Sequence, residues 1–239
     1  MIKHFERNTA GRDLVVGDIH GCFTRLQAHL DAIGFDPERD RLFSVGDLVD
    51  RGPESDLALE WLERPWFHAV RGNHEDMAIR WPNGHIDTTG YVQNGGGWNV
   101  SNPPEKQREI ADAFASLPLA QDVETSGGLV GIVHAECPFP SWQDFTEVLV
   151  TPDLSNSLRE AIIEAALWSR ERITAMENDS IAGVRAVVVG HTPVEWFTSL
   201  GNTLYIDTGA VFRGRDFTIL DLETLRPVDL GIRLQWEPA

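Results

Sequence analysis

One pattern constrains this chain more than any other. Three times in the first third, an apolar run meets a glycine and then a cluster of polar residues able to bind metal. The runs are "DLVVGDIHG", "RLFSVGDLVDRG" and "WFHAVRGNHE". Between them stand two helical patterns. "CFTRLQAHLDAIGF" carries Phe23, Leu26, Leu30 and Ile33 at the spacing of one helix face, and "ESDLALEWLER" is the second. A third helix is expected from about Glu75 to Arg80, stopped by Pro82. The resulting β-α-β-α-β series sets Asp18, Asp47 and Asn73 just past the C-terminal end of a strand. In open α/β sheets that edge is where ligands bind.

The rest of the chain continues the alternation, which implies α/β layering. "GYVQNGGGWNV" has three consecutive glycines and reads as a loop with Trp98 as its anchor. "PPEKQREIADAFASLP" and "SLREAIIEAALW" read as helices. "LAQDVETSGGLVGIVHAE" reads as a hairpin turning at Gly127 and Gly128, with His134 after its second strand. "VRAVVVGHT" is a strand followed by His191. "TLYIDTGAV" and "DFTILDLETL" read as a closing pair of strands.

Bulk properties bound the function. A chain of 239 residues fits one domain, 1–239, and can bury a substantial core. No stretch approaches the ~18 unbroken apolar residues of a membrane span. The first residues, "MIKHFERNTAGRD", lack the apolar centre of a secretory signal. Two cysteines make no disulfide framework, so a cytoplasmic location is expected. The net charge of −17 repels nucleic-acid phosphates and anionic lipids. Neither is an expected partner. An anionic substrate would need metals or placed arginines to reverse that field locally.

The strand-end residues are Asp18, His20, Asp47, Asn73, His134 and His191. Carboxylate and amide oxygens suit hard cations, and imidazole suits Mn, Fe or Zn. Six ligands exceed the roughly four of one zinc site. They suit two ions sharing a carboxylate. Ions roughly 3.5–4 Å apart clamp a phosphoryl group and activate water near neutral pH. Each residue alone has a plainer reading. A strand-end aspartate often caps a helix, a buried histidine is often a satisfied core residue, and an arginine beside an aspartate often makes a structural ion pair. His4, His29, His68 and His85 keep that plain reading. The ordered joint pattern does not.

These motifs resemble the calcineurin-like metallophosphoesterases, and within them the bacterial and bacteriophage lambda-type branch of the phosphoprotein phosphatase family. The likeness runs through "VVGDIHGC", "SVGDLVDRGPE", "WFHAVRGNHE", "NGGGW", "LWSRERI", "GHTP" and "YIDTGAVF". It implies a four-layer α/β/β/α sandwich with two mixed β-sheets and the site at one edge. It implies two divalent ions, Mn2+ first with Fe or Zn possible by ligand type. Asp18 and His20 would hold one ion, Asn73, His134 and His191 the other, with Asp47 bridging. His74 would be the general acid and Asp50 its partner. Arg51, Arg170 and Asn73 would grip the phosphate. The implied activity is hydrolysis of phosphoserine and phosphothreonine in proteins, with phosphotyrosine as a secondary substrate class, by direct attack of water. The enzyme is expected to be a monomer with phosphorylated proteins as its partners.

Three rival readings compete with this one. A cysteine phosphatase needs C-x5-R, but Ala28 and Gln143 stand at the arginine positions after Cys22 and Cys137. A symmetrical diadenosine tetraphosphatase shares the implied fold and metals. Asp50 in "VDRG" and Glu75 in "GNHE" favour the protein phosphatase. A degenerate member that binds metal or phosphoprotein without turnover should have lost a ligand or the acid, and none is missing.

Overall fold

The computed structural model describes residues 1–229. In chain order the strands are β1 (Ile2–Phe5), β2 (Asp13–Val16), β3 (Arg41–Ser44), β4 (Phe67–Ala69), β5 (Ala120–Thr125), β6 (Gly128–Val133), β7 (Ala186–Val189), β8 (Thr198–Leu200), β9 (Thr203–Tyr205), β10 (Ile219–Asp221) and β11 (Arg226–Pro227). The α-helices are α1 (Phe23–Ala32), α2 (Ala58–Leu62), α3 (Asn73–Arg80), α4 (Thr88–Gln93), α5 (Gly97–Val100), α6 (Pro104–Ala115), α7 (Trp142–Val150), α8 (Asn156–Trp168) and α9 (Glu171–Ala175).

The strands form two mixed sheets, ordered β1-β5-β6-β7-β9-β8 and β11-β10-β2-β3-β4. Alternation along the strands generates four layers. Val15 of β2, Phe43 of β3, Val130 of β6 and Val188 of β7 share one core between the sheets. Their neighbours Leu14, Val16 and Leu42 face the other way, onto a core with Phe23 and Leu26 of α1, Trp61 of α2, Met77 of α3 and Phe114 of α6. Val187 and Val189 face a third core with Phe145 of α7 and Ile162 and Ala166 of α8. Burying each such large apolar side chain contributes about 1.5–3 kcal/mol. The order is therefore helices, sheet, sheet, helices.

This topology also positions the strand ends. β2, β3 and β4 run parallel, with Val16 opposite Ser44 and Ser44 opposite Ala69. β6, β7 and β9 also run parallel to one another. The residues after all six strands therefore gather at one edge, where the sheets are cross-linked. The ring of His134, after β6, reaches the Val45 carbonyl, after β3, at 2.7 Å. Gly190 allows a close approach between the sheets, because a Cβ there would stand 2.1 Å from Asp18 Oδ1.

Two sequence expectations are corrected. "TLYIDTGAV" and "DFTILDLETL" do not pair. β9 joins β7 and β8 in the larger sheet, and β10 joins β2 and β11 in the smaller one. Both segments are short apolar strands, and their spelling does not say which open edge each will fill. The triple-glycine segment is not simply a loop either. The short helices α4 and α5 flank Asn94–Gly96, and Asp87 caps α4 by accepting from the Gly90 N–H at 2.9 Å. The structure also adds β1, α7, β8 and α9. Helix α3 begins at Asn73, so Asn73 and His74 lie in its first turn.

Candidate metal centre

Asp18 and His20 follow β2, Asp47 follows β3, Asn73 and His74 follow β4, His134 follows β6 and His191 follows β7. All seven are buried. Their loops hold one another. The N–H groups of Ile19 and His20 both donate to the Asp47 carbonyl, at 3.0 and 2.8 Å. The His74 N–H donates to Asp47 Oδ1 at 3.0 Å. The His191 N–H lies 3.1 Å from Asp18 Oδ1 and 3.2 Å from Oδ2.

The backbone is strained where these side chains sit. His20, Asp47, Asp50, Arg51 and His191 all have positive φ, between 44° and 70°. Such a conformation costs a non-glycine residue about 1–2 kcal/mol. Met176 and Leu225 are the other non-glycine residues of this kind among those described. The concentration at one edge marks a site held together by its surroundings.

Glu75 supplies much of that hold. Its fully buried carboxylate accepts the N–H groups of Asp47, Leu48 and Gly72 at 2.9, 2.8 and 2.8 Å. Burial, with the charge of Asp47, pushes its pKa up to about 7. Glu75→Gln turns one acceptor towards these N–H groups into a donor. The expected loss is about 2 kcal/mol of stability, read as a lower urea midpoint at unchanged m-value.

Asp47 is central. Its Oδ2 lies 3.6 Å from His20 Nε2 and its Oδ1 lies 3.3 Å from His134 Nε2. Two groups of ligand atoms meet on it: His20, Asp47 and His74, and Asp47, His134 and His191. Asp18 Oδ2 stands 4.0 Å from His20 Nε2. Burial alone would raise the pKa of Asp47. The positive charge of His74 and its backbone N–H oppose burial and hold it below the usual carboxylate range. Asp18 goes the other way, raised by burial and by the charges of Asp207 and Asp47.

Backbone carbonyls fix the imidazole tautomers. His20 donates Nδ1–H to the Val49 carbonyl at 2.9 Å, and His134 donates Nδ1–H to that of Val45. His191 is turned round and donates Nε2–H to the Trp168 carbonyl at 3.1 Å. Burial pushes all three below their ordinary pKa, His20 and His191 to about 3, so they are neutral. Each therefore presents an unprotonated ring nitrogen, the state a metal ligand requires. His134 Nε2 and His191 Nδ1 lie 2.8 and 2.9 Å from the same Asn73 Oδ1. No proton stands between these acceptors. Three converging lone pairs beside an ionised carboxylate are a donor set for a divalent cation, and the residues fit two such ions sharing Asp47.

His74 differs from the other three. Burial would lower its pKa, but the charge of Asp47 and the hydrogen bond to Asp50 outweigh it and raise the net value. Its Nδ1 lies 2.8 Å from Asp50 Oδ2. Its Nε2 is buried with no hydrogen-bond partner among the described residues. An imidazole biased towards its charged form is a poorer ligand and a better proton donor than a neutral one. The two arginines frame the centre. Arg51 Nη1 donates to His20 Nε2 at 2.5 Å, and Arg170 Nη2 lies 3.5 Å from the His191 carbonyl. Both are exposed residues.

The calcineurin-like phosphoesterase family profile matches residues 12–195, more than half of the chain. The chain belongs to that family. This calcineurin-like phosphoesterase is 37% identical over 204 residues to serine/threonine-protein phosphatase 1 of Salmonella typhimurium, covering 84% of this chain and 88% of that protein. It is 29% identical over 228 residues to the asymmetrical bis(5'-nucleosyl)-tetraphosphatase PrpE of Geobacillus thermodenitrificans, covering 84% and 86%. Its fold is similar to that of a cold-active protein-tyrosine phosphatase of a psychrophilic Shewanella species, with TM-score 0.62 and 18% identity over 95% of this chain and 79% of the other. The family uses two divalent ions, in keeping with the two ligand groups around Asp47.

The four histidines given a plain reading lie elsewhere in this phosphoesterase. His29 bonds Asp216 at 2.7 Å, His4 bonds Asp122 at 2.5 Å, His68 packs on Phe5 and Phe43, and His85 is exposed. Both cysteines are buried and free, and burial pushes their thiols up to about 11 and 12. Neither is a nucleophile at neutral pH.

Sequence reasoning passed over Asp207. It lies just past β9, buried, in contact with Asp18, and burial pushes its pKa up to about 6. The strand-end rule applied to "YIDTG" could have found it. It also undervalued Trp98, whose indole N–H donates to Asp50 Oδ1 at 2.6 Å.

Proposed function

We propose that this chain, as one catalytic domain, hydrolyses phosphoserine and phosphothreonine in proteins. In this reading Asp18 and His20 hold one divalent ion, Asn73, His134 and His191 hold the other, and Asp47 bridges them. Mn2+ is the ion the mixed oxygen and nitrogen donors suit best, with Fe or Zn as substitutes. Bound there, the ions neutralise phosphate charge and lower the pKa of water.

The chain's own residues do the rest. Arg51, Arg170 and the Asn73 amide bind and orient the phosphate oxygens, the arginines as planar two-pronged donors. Asp50 keeps His74 charged and turned, and His74 donates its Nε2 proton to the departing serine or threonine oxygen. The observation that carries this reading is the contrast among four buried imidazoles. Three are neutral and present lone pairs, while the fourth is held towards its charged form with a free, buried Nε2.

Phosphoprotein is favoured over dinucleotide by the greater similarity to the Salmonella phosphatase and by the engaged carboxylates of Asp50 and Glu75. The net charge of −17 disfavours nucleic acid as a partner. Among the described residues no helix is long and apolar enough to cross a membrane. The free thiols suit the cytoplasm, and the working unit in this reading is a monomer.

The test compares kcat/KM of the Mn-loaded enzyme on a phosphoserine peptide, a phosphotyrosine peptide and diadenosine tetraphosphate. The phosphoserine peptide should lead. A tenfold lead for the dinucleotide, about 1.4 kcal/mol in transition-state binding, would move the enzyme to nucleotide hydrolysis.

A further inference from the structure

The metal ligands, phosphate clamp and proton donor leave one motif unused, "NGGGW" from Asn94 to Trp98. We propose that this segment is a positioning element for the proton donor, and that Trp98 acts by pinning Asp50. The inference rests on the reading of His74 as general acid.

The Asp50 carboxylate is fully buried, and each oxygen has its own partner. Oδ2 faces His74 Nδ1 at 2.8 Å, and Oδ1 accepts the Trp98 indole N–H at 2.6 Å. The Asp50 N–H is fixed as well, donating to Ser55 Oγ at 2.8 Å. An aspartate's terminal torsion is broad and nearly two-fold. One hydrogen bond leaves the carboxylate free to swing, whereas two on opposite oxygens fix its plane. The plane sets the direction of His74, and that direction aims Nε2. Without the indole, Oδ1 would be a buried charged oxygen lacking this donor, and the carboxylate would turn to seek another.

The glycines explain how the indole gets there. Gly95 has φ +105°, and a Cβ on it would stand 2.4 Å from the Arg51 nitrogen and 3.0 Å from Asp50 Cβ. A Cβ on Gly96 would stand 2.3 Å from the ring of Tyr91. Only a backbone without side chains lies this close to Asp50 and Arg51. Tyr91 anchors the segment in turn. Its carbonyl accepts the Gly96 N–H at 3.0 Å, and its hydroxyl lies 3.2 Å from Asn99 Nδ2. Gly97 is different, since a Cβ there meets nothing within 4 Å. The segment is tight where it touches Asp50 and open one residue later.

A proton donor matters most when the leaving group is poor. The experiment therefore measures kcat and KM for phenyl phosphate and for 2,4-dinitrophenyl phosphate, whose leaving group departs without a proton. Bound metal is measured in each variant. Trp98→Phe keeps the ring and removes the N–H. It should lower kcat on phenyl phosphate about tenfold, change the dinitrophenyl ester by less than about twofold, and leave KM and metal content alone. Gly97→Ala, where a Cβ meets nothing within 4 Å, should give no split. In an Asp50→Asn background Trp98→Phe should add no further loss, because both changes remove one device.

Equal loss on both esters from Trp98→Phe, or full additivity with Asp50→Asn, would make Trp98 a packing residue and overturn the inference. His74→Asn separates this failure from that of the underlying reading. If His74→Asn itself fails to discriminate between the esters, the general-acid role falls and the inference with it. If His74→Asn discriminates and Trp98→Phe does not, only the inference falls.

Discussion

Replacing Asp47 with asparagine is expected to strip the centre of metal. Asp47 is the carboxylate on which both ligand groups meet, and it is the one held firmly ionised. The charge of His74 and its backbone N–H oppose the burial of Asp47, while Asp18 and Asp207 are pushed towards their neutral forms. The substitution keeps size and shape. Asparagine can still accept the His74 N–H that now goes to Oδ1, so the loop need not move. What it removes is the negative charge, and with it one of two oxygen donors; the new NH2 cannot ligate at all. Even residues that merely support metal ligands cost about 10–100-fold in affinity when changed. A shared ligand should cost at least about 100-fold for one ion. Titration calorimetry with Mn2+, together with metal content after gel filtration, should show fewer than two ions per chain and negligible hydrolysis. A variant that retains both ions would refute the bridging role.

The strand-end rule reached this centre from the sequence because β2, β3 and β4 are joined by short helical crossovers. Such connections make consecutive strands parallel and place their ends together. Asp18, Asp47 and Asn73 follow directly. His134 and His191 lie much further along the chain and in the other sheet, and their apolar runs identified them as strand ends without saying that the two sheets would pack face to face and bring those ends together. What the sequence hid was mostly geometry of second partners. Glu75 reads as a residue in the first turn of a helix, yet it holds three N–H groups drawn from two different loops. Trp98 reads as a loop anchor because nothing in "NGGGW" says that the segment folds back on Asp50. The pairing of β9 and β10 failed for a related reason. Two short apolar strands near one another in sequence are compatible with one sheet or with two, and only the long-range packing of Leu204 and Leu220 on opposite sides of the same core decides.

His74→Asn should leave binding intact and remove most of the turnover. In contrast to His20, His134 and His191, His74 has an Nε2 with no hydrogen-bond partner among the described residues. Its interactions are with Asp50 at 2.8 Å and with the charge of Asp47 at 3.8 Å, and both favour the protonated ring. A group arranged in this way stabilises a transition state in which a proton is moving. It contributes little to a ground state in which, in the proposed reading, Arg51 and Arg170 hold the phosphate. The expected result is therefore a fall in kcat of about 10²- to 10⁴-fold on a phosphoserine peptide, with KM changed by less than about threefold. Metal content should remain at the wild-type value, since Asn73 keeps its place between His134 and His191. The same variant should lose far less on an ester whose leaving group needs no proton. A rise in KM that accounts for the whole loss in kcat/KM would contradict the role, because it would make His74 a phosphate-binding residue. Loss of metal would contradict it in another way, making His74 a ligand alongside His20 and Asp47. The raised pKa of His74 favours neither outcome, since a ligand must first shed the proton that Asp47 and Asp50 help it to keep.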